Sequence, residues 1–163
     1  MLQIAIAIVM GYLIGSIPTG YLIVKAKTGQ DIRKVGSGST GATNVKRVLG
    51  KKWFFIVMLL DAIKGALPVV LAILFLHAYS QYGLTPVAAA VAVLLGHSKS
   101  VFLGFTGGKS VASGVGTILA LNPLVGLSVA VIWGIITWVS KYVSLGSIIA
   151  PVSYTHLTLP TKL

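Results

Sequence analysis

The stretch "WFFIVMLLDAIKGALPVVLAILFL", Trp53–Leu76, decides the fold, because it is apolar over a length that crosses a lipid bilayer. It carries only two charged residues, Asp61 and Lys64. Hydrophobic residues make up 56% of the 163-residue chain and charged residues 9%, whereas a soluble domain is usually about a quarter charged. So short a chain cannot hide that much apolar surface from water. The sequence therefore predicts an all-α membrane protein, with lipid as the solvent for most of its surface.

Further apolar runs on both sides of this stretch predict a polytopic bundle of about five to six transmembrane helices. They are Leu2–Val24, Pro86–Phe105, Ser110–Leu121, Leu124–Ser140 and a last run from Tyr142. Asn122 and Pro123 predict a turn. A helix over Ser110–Leu121 rises only about 18 Å. It therefore either extends into the glycine-rich segment before it or begins within the membrane.

The basic residues predict the orientation of this bundle. The chain has 13 Lys and Arg against 2 Asp and Glu, and the basic residues lie between the apolar runs rather than along a polar domain. One set of alternate connections carries Lys25, Lys27, Arg33, Lys34, Lys46, Arg47, Lys51, Lys52, Lys99, Lys109 and Lys141. The other set, His77–Thr85 and Asn122–Pro123, carries none. The positive-inside rule places the N-terminus outside and the basic loops in the cytoplasm, which argues against a nucleic-acid partner.

The first basic loop contains "VGSGSTGATNVKR", Val35–Arg47, whose composition is typical of an anion site. Its glycines permit turns that aim several backbone N–H groups at one point. Its hydroxyl and amide side chains offer further donors, and Arg47 can bind a phosphate with two hydrogen bonds. The alternative is a flexible, topology-setting loop, which does not require so many small residues. The predicted phosphate-binding residues of this loop are Gly36, Gly38, Ser39, Gly41, Thr43 and Asn44, beside Ser37 and Arg47.

The second loop, "GHSKSVFLGFTGGKSVASGVG", Gly96–Gly116, places Gly107, Gly108, Lys109 and Ser110 directly before a predicted helix. Free N–H groups and the helix dipole hold phosphate at such a position. The spacing is not that of a nucleotide-binding Walker A motif, because Leu103 stands where that motif requires glycine. His97 is either a base or a structural donor. The spacing of Gly114 and Gly116 indicates close helix packing.

Two further features carry weaker signals. The segment "KYVSLGSI", Lys141–Ile148, places Ser144 and Ser147 beside a basic residue, although hydroxyls at such positions are often helix caps. Asp61 and Lys64 lie three residues apart on one helix face. Ions within a membrane are costly and usually paired, so a structural ion pair is favoured over a direct catalytic role.

The segments "RKVGSGSTGATNVKR", "DAIKG", "GHSKSVFLGFTGGKSVAS" and "YVSLGS" resemble the bacterial acyl-phosphate:glycerol-3-phosphate acyltransferases, the PlsY family, over residues 1 to 152. The resemblance implies a bacterial cell-membrane enzyme that transfers an acyl group from acyl phosphate to the 1-hydroxyl of glycerol 3-phosphate, giving lysophosphatidic acid and phosphate. It implies that Ser37 and Arg47 are essential and that Gly107, Gly108 and Lys109 bind glycerol 3-phosphate. Ser144 and Ser147 occupy the serine positions of the third motif. The predicted catalytic residues are Ser37, Arg47, His97, Ser144 and Ser147. The chain departs from the family at Ser39, Ser110 and Ser113, where many members have Asn, Gly or Ala, and Thr.

The resemblance also implies one more C-terminal helix than this chain supplies. Residues 1–152 are predicted to form a single membrane domain, and "SYTHLTLPTKL", Ser153–Leu163, is predicted to be a non-native tail. His156 and Lys162 are therefore given no functional role.

The predicted chemistry is positioning and electrostatic stabilisation, because the chain has no Cys and no paired carboxylates. The hydroxyl proton passes to a substrate phosphate oxygen, or through Ser37 or His97. Nothing in the sequence requires a metal or another cofactor. The predicted partners are the two substrates and membrane lipid, and no oligomeric state is predicted. The alternative function, a membrane carrier for phosphate or organic phosphate, is disfavoured because the two halves of the chain show no repeat.

Overall fold

The computed structural model of the chain describes residues 1–76, 83–143 and 145–150. Within these residues the predicted all-α character is confirmed. The named α-helices are α1 (Leu2–Ser16), α2 (Thr19–Thr28), α3 (Ala42–Leu49), α4 (Lys51–Leu71), α5 (Leu84–Ser98), α6 (Val111–Leu121) and α7 (Pro123–Ser140). A π-helical turn, Ala72–Leu76, continues α4, and residues 145–150 are also helical.

Large apolar side chains cover the outside of the bundle. Phe55, Phe75 and Trp138 are 59%, 68% and 75% exposed, which is unfavourable in water but suits lipid. Among the described residues, three stretches are long and apolar enough to cross a membrane, namely Leu2–Thr28, Lys51–Leu76 and Pro123–Ser140.

The first predicted span is not one continuous helix. Pro18 has no N–H and forces the residue before it out of the helical region, and Ile17 accordingly has φ −58° and ψ 114°. The chain resumes as α2 at Thr19 and continues to Thr28, beyond the predicted end at Val24. The break leaves backbone carbonyls that side chains from other helices reach.

The helix of the third predicted span is shorter than expected, because α5 ends at Ser98 rather than near Phe105. The following residues fold into a compact loop in which the Phe105 N–H donates to the Ser100 carbonyl over 2.8 Å. Gly104 and Phe105 both have positive φ, which no continuing helix permits. This loop returns the chain to α5 before α6 begins.

Glycines bring α1 and α5 into close contact. A methyl group at Gly15 would overlap the Val93 backbone, and one at Gly96 would overlap the Tyr12 carbonyl. Small residues at such positions let helix backbones approach closely within a membrane.

Close contacts at glycines also join α4 to α6. Gly65 packs on the Ser113 backbone and Gly116 packs on the Ala62 backbone, so the packing role predicted from glycine spacing is confirmed for Gly116. Gly114 differs, because among the described atoms a methyl group there would meet only Leu94 Cδ2, at 3.9 Å.

The short helix α6 begins at Val111, so it does not extend into the glycine-rich segment. The predicted turn between α6 and α7 is confirmed, with the Asn122 side chain accepting from the Val125 N–H over 3.2 Å and Pro123 at the first helical position. His77, Ser144 and the predicted tail 153–163 lie outside the described residues.

Candidate functional site

The first basic loop is folded around the side chain of Asn44, which is 1% exposed. Its Nδ2 donates to the carbonyls of Val35 and Ser39, each over 2.9 Å, and to that of Ile32 over 3.3 Å. Its Oδ1 accepts from the Ser37 N–H over 3.1 Å. Because all these partners are backbone groups of the loop, Asn44 shapes the loop from within.

The glycines of this loop allow its turns. Gly36 and Gly38 have φ of 61° and 70°, a region that disfavours residues with a Cβ. A methyl group at Gly36 would overlap Asn44 Oδ1 and lie 3.4 Å from Arg47 Cδ. The side chain of Arg47 therefore lies along the glycine turn.

The exposed face of the loop carries Ser37, Thr43 and Arg47. The Arg47 guanidinium makes no hydrogen bond or ion pair with any residue that the structure describes. The Ser39 hydroxyl is partly committed, since it accepts from the Gly41 N–H over 3.3 Å. The face thus offers one unpaired cation and two exposed hydroxyls.

A different arginine joins the first loop to the second. Arg33 Nη1 donates to the Leu103 carbonyl over 3.3 Å, while Nη2 lies 2.7 Å from Asp31 Oδ2. The hydrogen bond from Arg33 lowers the pKa of the Asp31 carboxyl to about 2, so this pair stays ionised at neutral pH. Arg33 is therefore a structural link, and its charge is already neutralised.

The glycine segment of the second loop, Gly107–Lys109, lies directly on His97. The Gly108 N–H donates to the His97 carbonyl over 3.0 Å, and a methyl group at Gly107 would overlap that same carbonyl. A methyl group at Gly108 would overlap His97 Nε2. The two glycines therefore permit a close approach of the loop to the end of α5.

The two residues after these glycines point their polar groups differently. Lys109 is exposed, and its ammonium group makes no hydrogen bond or ion pair with the described part of the chain. Ser110 has φ 55°, and its hydroxyl lies 2.6 Å from that of Ser98 and donates to the Leu94 carbonyl over 2.9 Å. Lys109 is thus available to a ligand, while the Ser110 hydroxyl fixes the start of α6.

Below this loop, Asp61 and Lys64 form an ion pair inside the bundle, with Lys64 Nζ 2.9 Å from Asp61 Oδ1. Asp61 also accepts from Thr19 Oγ1, and Lys64 donates to the Ile17 carbonyl over 2.7 Å. His97 Nδ1 lies 3.8 Å from Asp61 Oδ1. The pair therefore joins the helix break at Pro18 to the underside of the second loop.

A cavity of about 210 Å³ lies beside Lys109, between α6, α7 and residues 145–150. Its walls are mostly apolar and include Gly114, Val129 and Trp133. Ser147 also lines it, and its hydroxyl donates to the Val143 carbonyl over 2.7 Å and accepts from Trp133 Nε1 over 3.2 Å. The cavity can take an apolar chain that begins beside Lys109.

Three residues were missing from the sequence-based prediction of the site: Thr19, Arg33 as a link between loops, and Ser113, whose Oγ lies 3.1 Å from His97 Nδ1. Pro18 was a usable signal for the first, because a proline within an apolar run breaks the helix and frees polar groups next to it. Ser113 and Arg33 carry no signal of their own, since only the packing of α6 and of the second loop gives them partners.

Residues 5–161 match the protein family described as Glycerol-3-phosphate acyltransferase. A curated glycerol-3-phosphate acyltransferase of Acholeplasma laidlawii is 46% identical over 159 residues, which cover 93% of this chain and 67% of the relative. One of Macrococcus caseolyticus is 39% identical over 158 residues, covering 97% of this chain and 79% of the relative.

The fold is similar to two crystal structures of PlsY, an integral membrane glycerol 3-phosphate acyltransferase. The glycerol 3-phosphate form has a TM-score of 0.84 and 41% identity, over 93% of this chain and 74% of that chain. The lysophosphatidic acid form has a TM-score of 0.78 and 38% identity, over 93% of this chain and 73% of that one.

Proposed function

Because the chain belongs to the glycerol-3-phosphate acyltransferase family, we propose that it transfers an acyl group from acyl phosphate to the 1-hydroxyl of glycerol 3-phosphate. The products are lysophosphatidic acid and phosphate, so the reaction is a first step of phospholipid synthesis. The observation that carries the proposal is the pairing of two glycine-bearing loops, linked through Arg33 and Leu103, each with a cation unpaired among the described residues. Two such loops suit two phosphate-bearing substrates.

Each loop is assigned one phosphate. The segment Gly107–Lys109 holds the phosphate of glycerol 3-phosphate, with Lys109 as counter-ion and the N–H groups of Gly107 and Lys109 as donors, because the Gly108 N–H already donates to the His97 carbonyl. Ser37 and Arg47 hold the acyl phosphate, Arg47 through two hydrogen bonds to its phosphate oxygens. Gly36, Gly38, Ser39, Gly41 and Thr43 complete that subsite, and Asn44 keeps its shape.

The reaction then needs little activation of the acceptor. The 1-hydroxyl oxygen attacks the acyl carbonyl carbon, the bond from that carbon to the phosphate oxygen breaks, and the hydroxyl proton ends on the released phosphate. An acyl phosphate has a good leaving group, so holding the reactants together and stabilising the developing charge supplies most of the acceleration. His97 is 6% exposed beneath Gly108, which favours a positioning role for it over proton transfer.

The acyl chain occupies the apolar cavity between α6, α7 and residues 145–150. Lys109 and Ser110 lie at one side of this cavity and Ser147 lines another, so a chain lying there begins beside the phosphate loops. Ser144, outside the described residues, belongs to the same segment as Ser147.

The protein is an integral protein of the bacterial cell membrane, with its N-terminus outside and both phosphate loops in the cytoplasm. The basic residues of the loops support this orientation. A lipid-soluble donor and a water-soluble acceptor can both reach a site at the cytoplasmic rim.

The purified chain, given glycerol 3-phosphate with either palmitoyl phosphate or palmitoyl-CoA, tests the proposal. Lysophosphatidic acid from the acyl phosphate alone supports it. No product from either donor, in protein shown to be folded, overturns it. Flux of labelled glycerol 3-phosphate into proteoliposomes, in the same preparation, would then indicate a carrier.

A further inference from the structure

The polar cluster beneath the second loop is buried on every side. Asp61 is 2% exposed, His97 6% and Ser113 0%. Asp61 and His97 come from α4 and α5, and Ser113 comes from α6. Buried polar groups are costly unless they have partners, so their arrangement is specific.

The imidazole of His97 is held from one edge. Its Nδ1 shares a hydrogen bond with Ser113 Oγ at 3.1 Å and lies 3.8 Å from Asp61 Oδ1. Asp61 is fixed in turn by Lys64 at 2.9 Å and by Thr19. The ring therefore has one orientation, set by side chains of neighbouring helices.

The opposite edge of the ring supports the second loop. The backbone of Gly108 passes over Nε2 so closely that no Cβ fits between them. Lys109 follows directly in the chain, so the position of the ring sets the height of the loop and the direction of its N–H groups.

We propose that Ser113 and Asp61 are positioning residues for acceptor binding, which hold His97 so that Gly107–Lys109 is shaped for the phosphate of glycerol 3-phosphate. This inference rests on the proposed function. Neither residue contacts the substrate, and each acts through the imidazole. A rotation of the ring would move the loop away from its phosphate-binding shape and so weaken the binding of glycerol 3-phosphate.

The side chains of α6 provide a matched control. Thr117 lies one turn after Ser113 and is 3% exposed, and its hydroxyl donates to the Gly114 carbonyl over 2.7 Å rather than to His97. Ser113→Ala and Thr117→Val each remove one buried hydroxyl hydrogen bond with little change in volume. Only Ser113→Ala removes a hydrogen bond that holds the His97 ring.

The experiment measures the KM for glycerol 3-phosphate, the KM for palmitoyl phosphate and kcat, with the Kd for glycerol 3-phosphate by calorimetry and the Tm of each variant. For Ser113→Ala we expect the KM and Kd for glycerol 3-phosphate to rise about five- to tenfold, since one buried hydrogen bond is lost. The KM for palmitoyl phosphate stays at the wild-type value. Asp61→Asn shifts the same two constants, and Thr117→Val shifts neither.

Three results overturn the inference. Unchanged acceptor constants in a folded Ser113→Ala protein contradict it while leaving the proposed function intact. Equal increases in both KM values, with Thr117→Val behaving alike, indicate a general structural effect. A folded wild-type chain that neither binds nor acylates glycerol 3-phosphate contradicts the proposed function, and the inference with it.

Discussion

Lys64 Nζ donates to the Ile17 carbonyl over 2.7 Å, at the point where Pro18 interrupts the first apolar run. The same ammonium group lies 2.9 Å from Asp61 Oδ1. The lysine therefore satisfies a backbone group freed by the break and neutralises a carboxylate that is 2% exposed. One cation inside the bundle thus meets two electrostatic needs.

This arrangement predicts strong coupling between the two charges. Lys64→Met and Asp61→Asn should each lower the free energy of unfolding, Lys64→Met by about 3–5 kcal/mol because it leaves a buried charge unpaired. The double variant should lose less than the sum of the single losses. The free energies of unfolding of the wild type, the two single variants and the double variant, measured in mixed micelles, give this double-mutant cycle. Additive losses would contradict the coupling.

The glycine turns of the first loop predict a difference between two similar substitutions. Gly29 and Gly36 both have positive φ, 72° and 61°, but of the two only a methyl group at Gly36 would overlap a described residue, namely Asn44. Gly29→Ala should cost about 1–2 kcal/mol of stability through backbone strain alone and leave kcat/KM unchanged. Gly36→Ala should displace Asn44 as well and abolish acyl transfer.

Acyl-transfer assays with thermal unfolding curves check this pair. The reasoning fails if both alanine variants lose activity in the same proportion as they lose stability.

Substitutions of Arg47 and of its neighbour Lys46 in α3 distinguish a phosphate-binding role of Arg47 from a general effect of positive charge. Arg47→Ala should lower kcat/KM about 100-fold, the usual size of losing a donor to developing charge. Lys46→Ala removes the same charge one residue away, from a side chain that lies 5.9 Å from the Phe54 ring centroid, and should have little effect. Arg47→Lys should recover part of the activity, because it keeps the charge but not the paired hydrogen bonds. Full turnover by Arg47→Ala would remove Arg47 from the proposed site.

The features of the fold that depend on local sequence composition were predictable from the sequence. The helical membrane fold follows from long apolar runs, and the turn at Asn122 and Pro123 follows from their backbone preferences. The span boundaries were predicted less well because apolar composition does not distinguish helix from compact loop. "SVFLGF", Ser100–Phe105, is apolar, yet Gly104 and Phe105 leave the helical region.

The sequence does not distinguish the structural roles of residues within one motif. Asn44 and Arg47 share a motif, yet one amide is used up by the loop backbone while the guanidinium is exposed. That difference depends on which way each side chain points from α3. The support of His97 by Ser113 depends on the packing of α5 against α6, which no local pattern encodes.

The cavity beside Lys109 predicts how kcat/KM depends on the length of the acyl chain of the donor. Gly114 lines this cavity, and among the described residues the nearest neighbour of an added Cβ is Leu94 Cδ2 at 3.9 Å, so a Cβ fits there without disturbing the helices. Gly114→Leu should fill part of the 210 Å³ and displace about two methylene groups of the substrate, which lowers kcat/KM for palmitoyl phosphate at least about tenfold. Butyryl phosphate, whose chain is much shorter, should be slowed less.

Gly134 offers the matched control, because it lies on α7 where an added methyl group meets no described atom within 4 Å. Gly134→Leu should leave the dependence of kcat/KM on chain length unchanged. If Gly114→Leu slowed both donors equally, or if Gly134→Leu reproduced the selectivity, the acyl chain would have to lie elsewhere. A selective loss for the long donor, with an unchanged KM for glycerol 3-phosphate, would place the chain between α6 and α7 and leave the acceptor loop undisturbed.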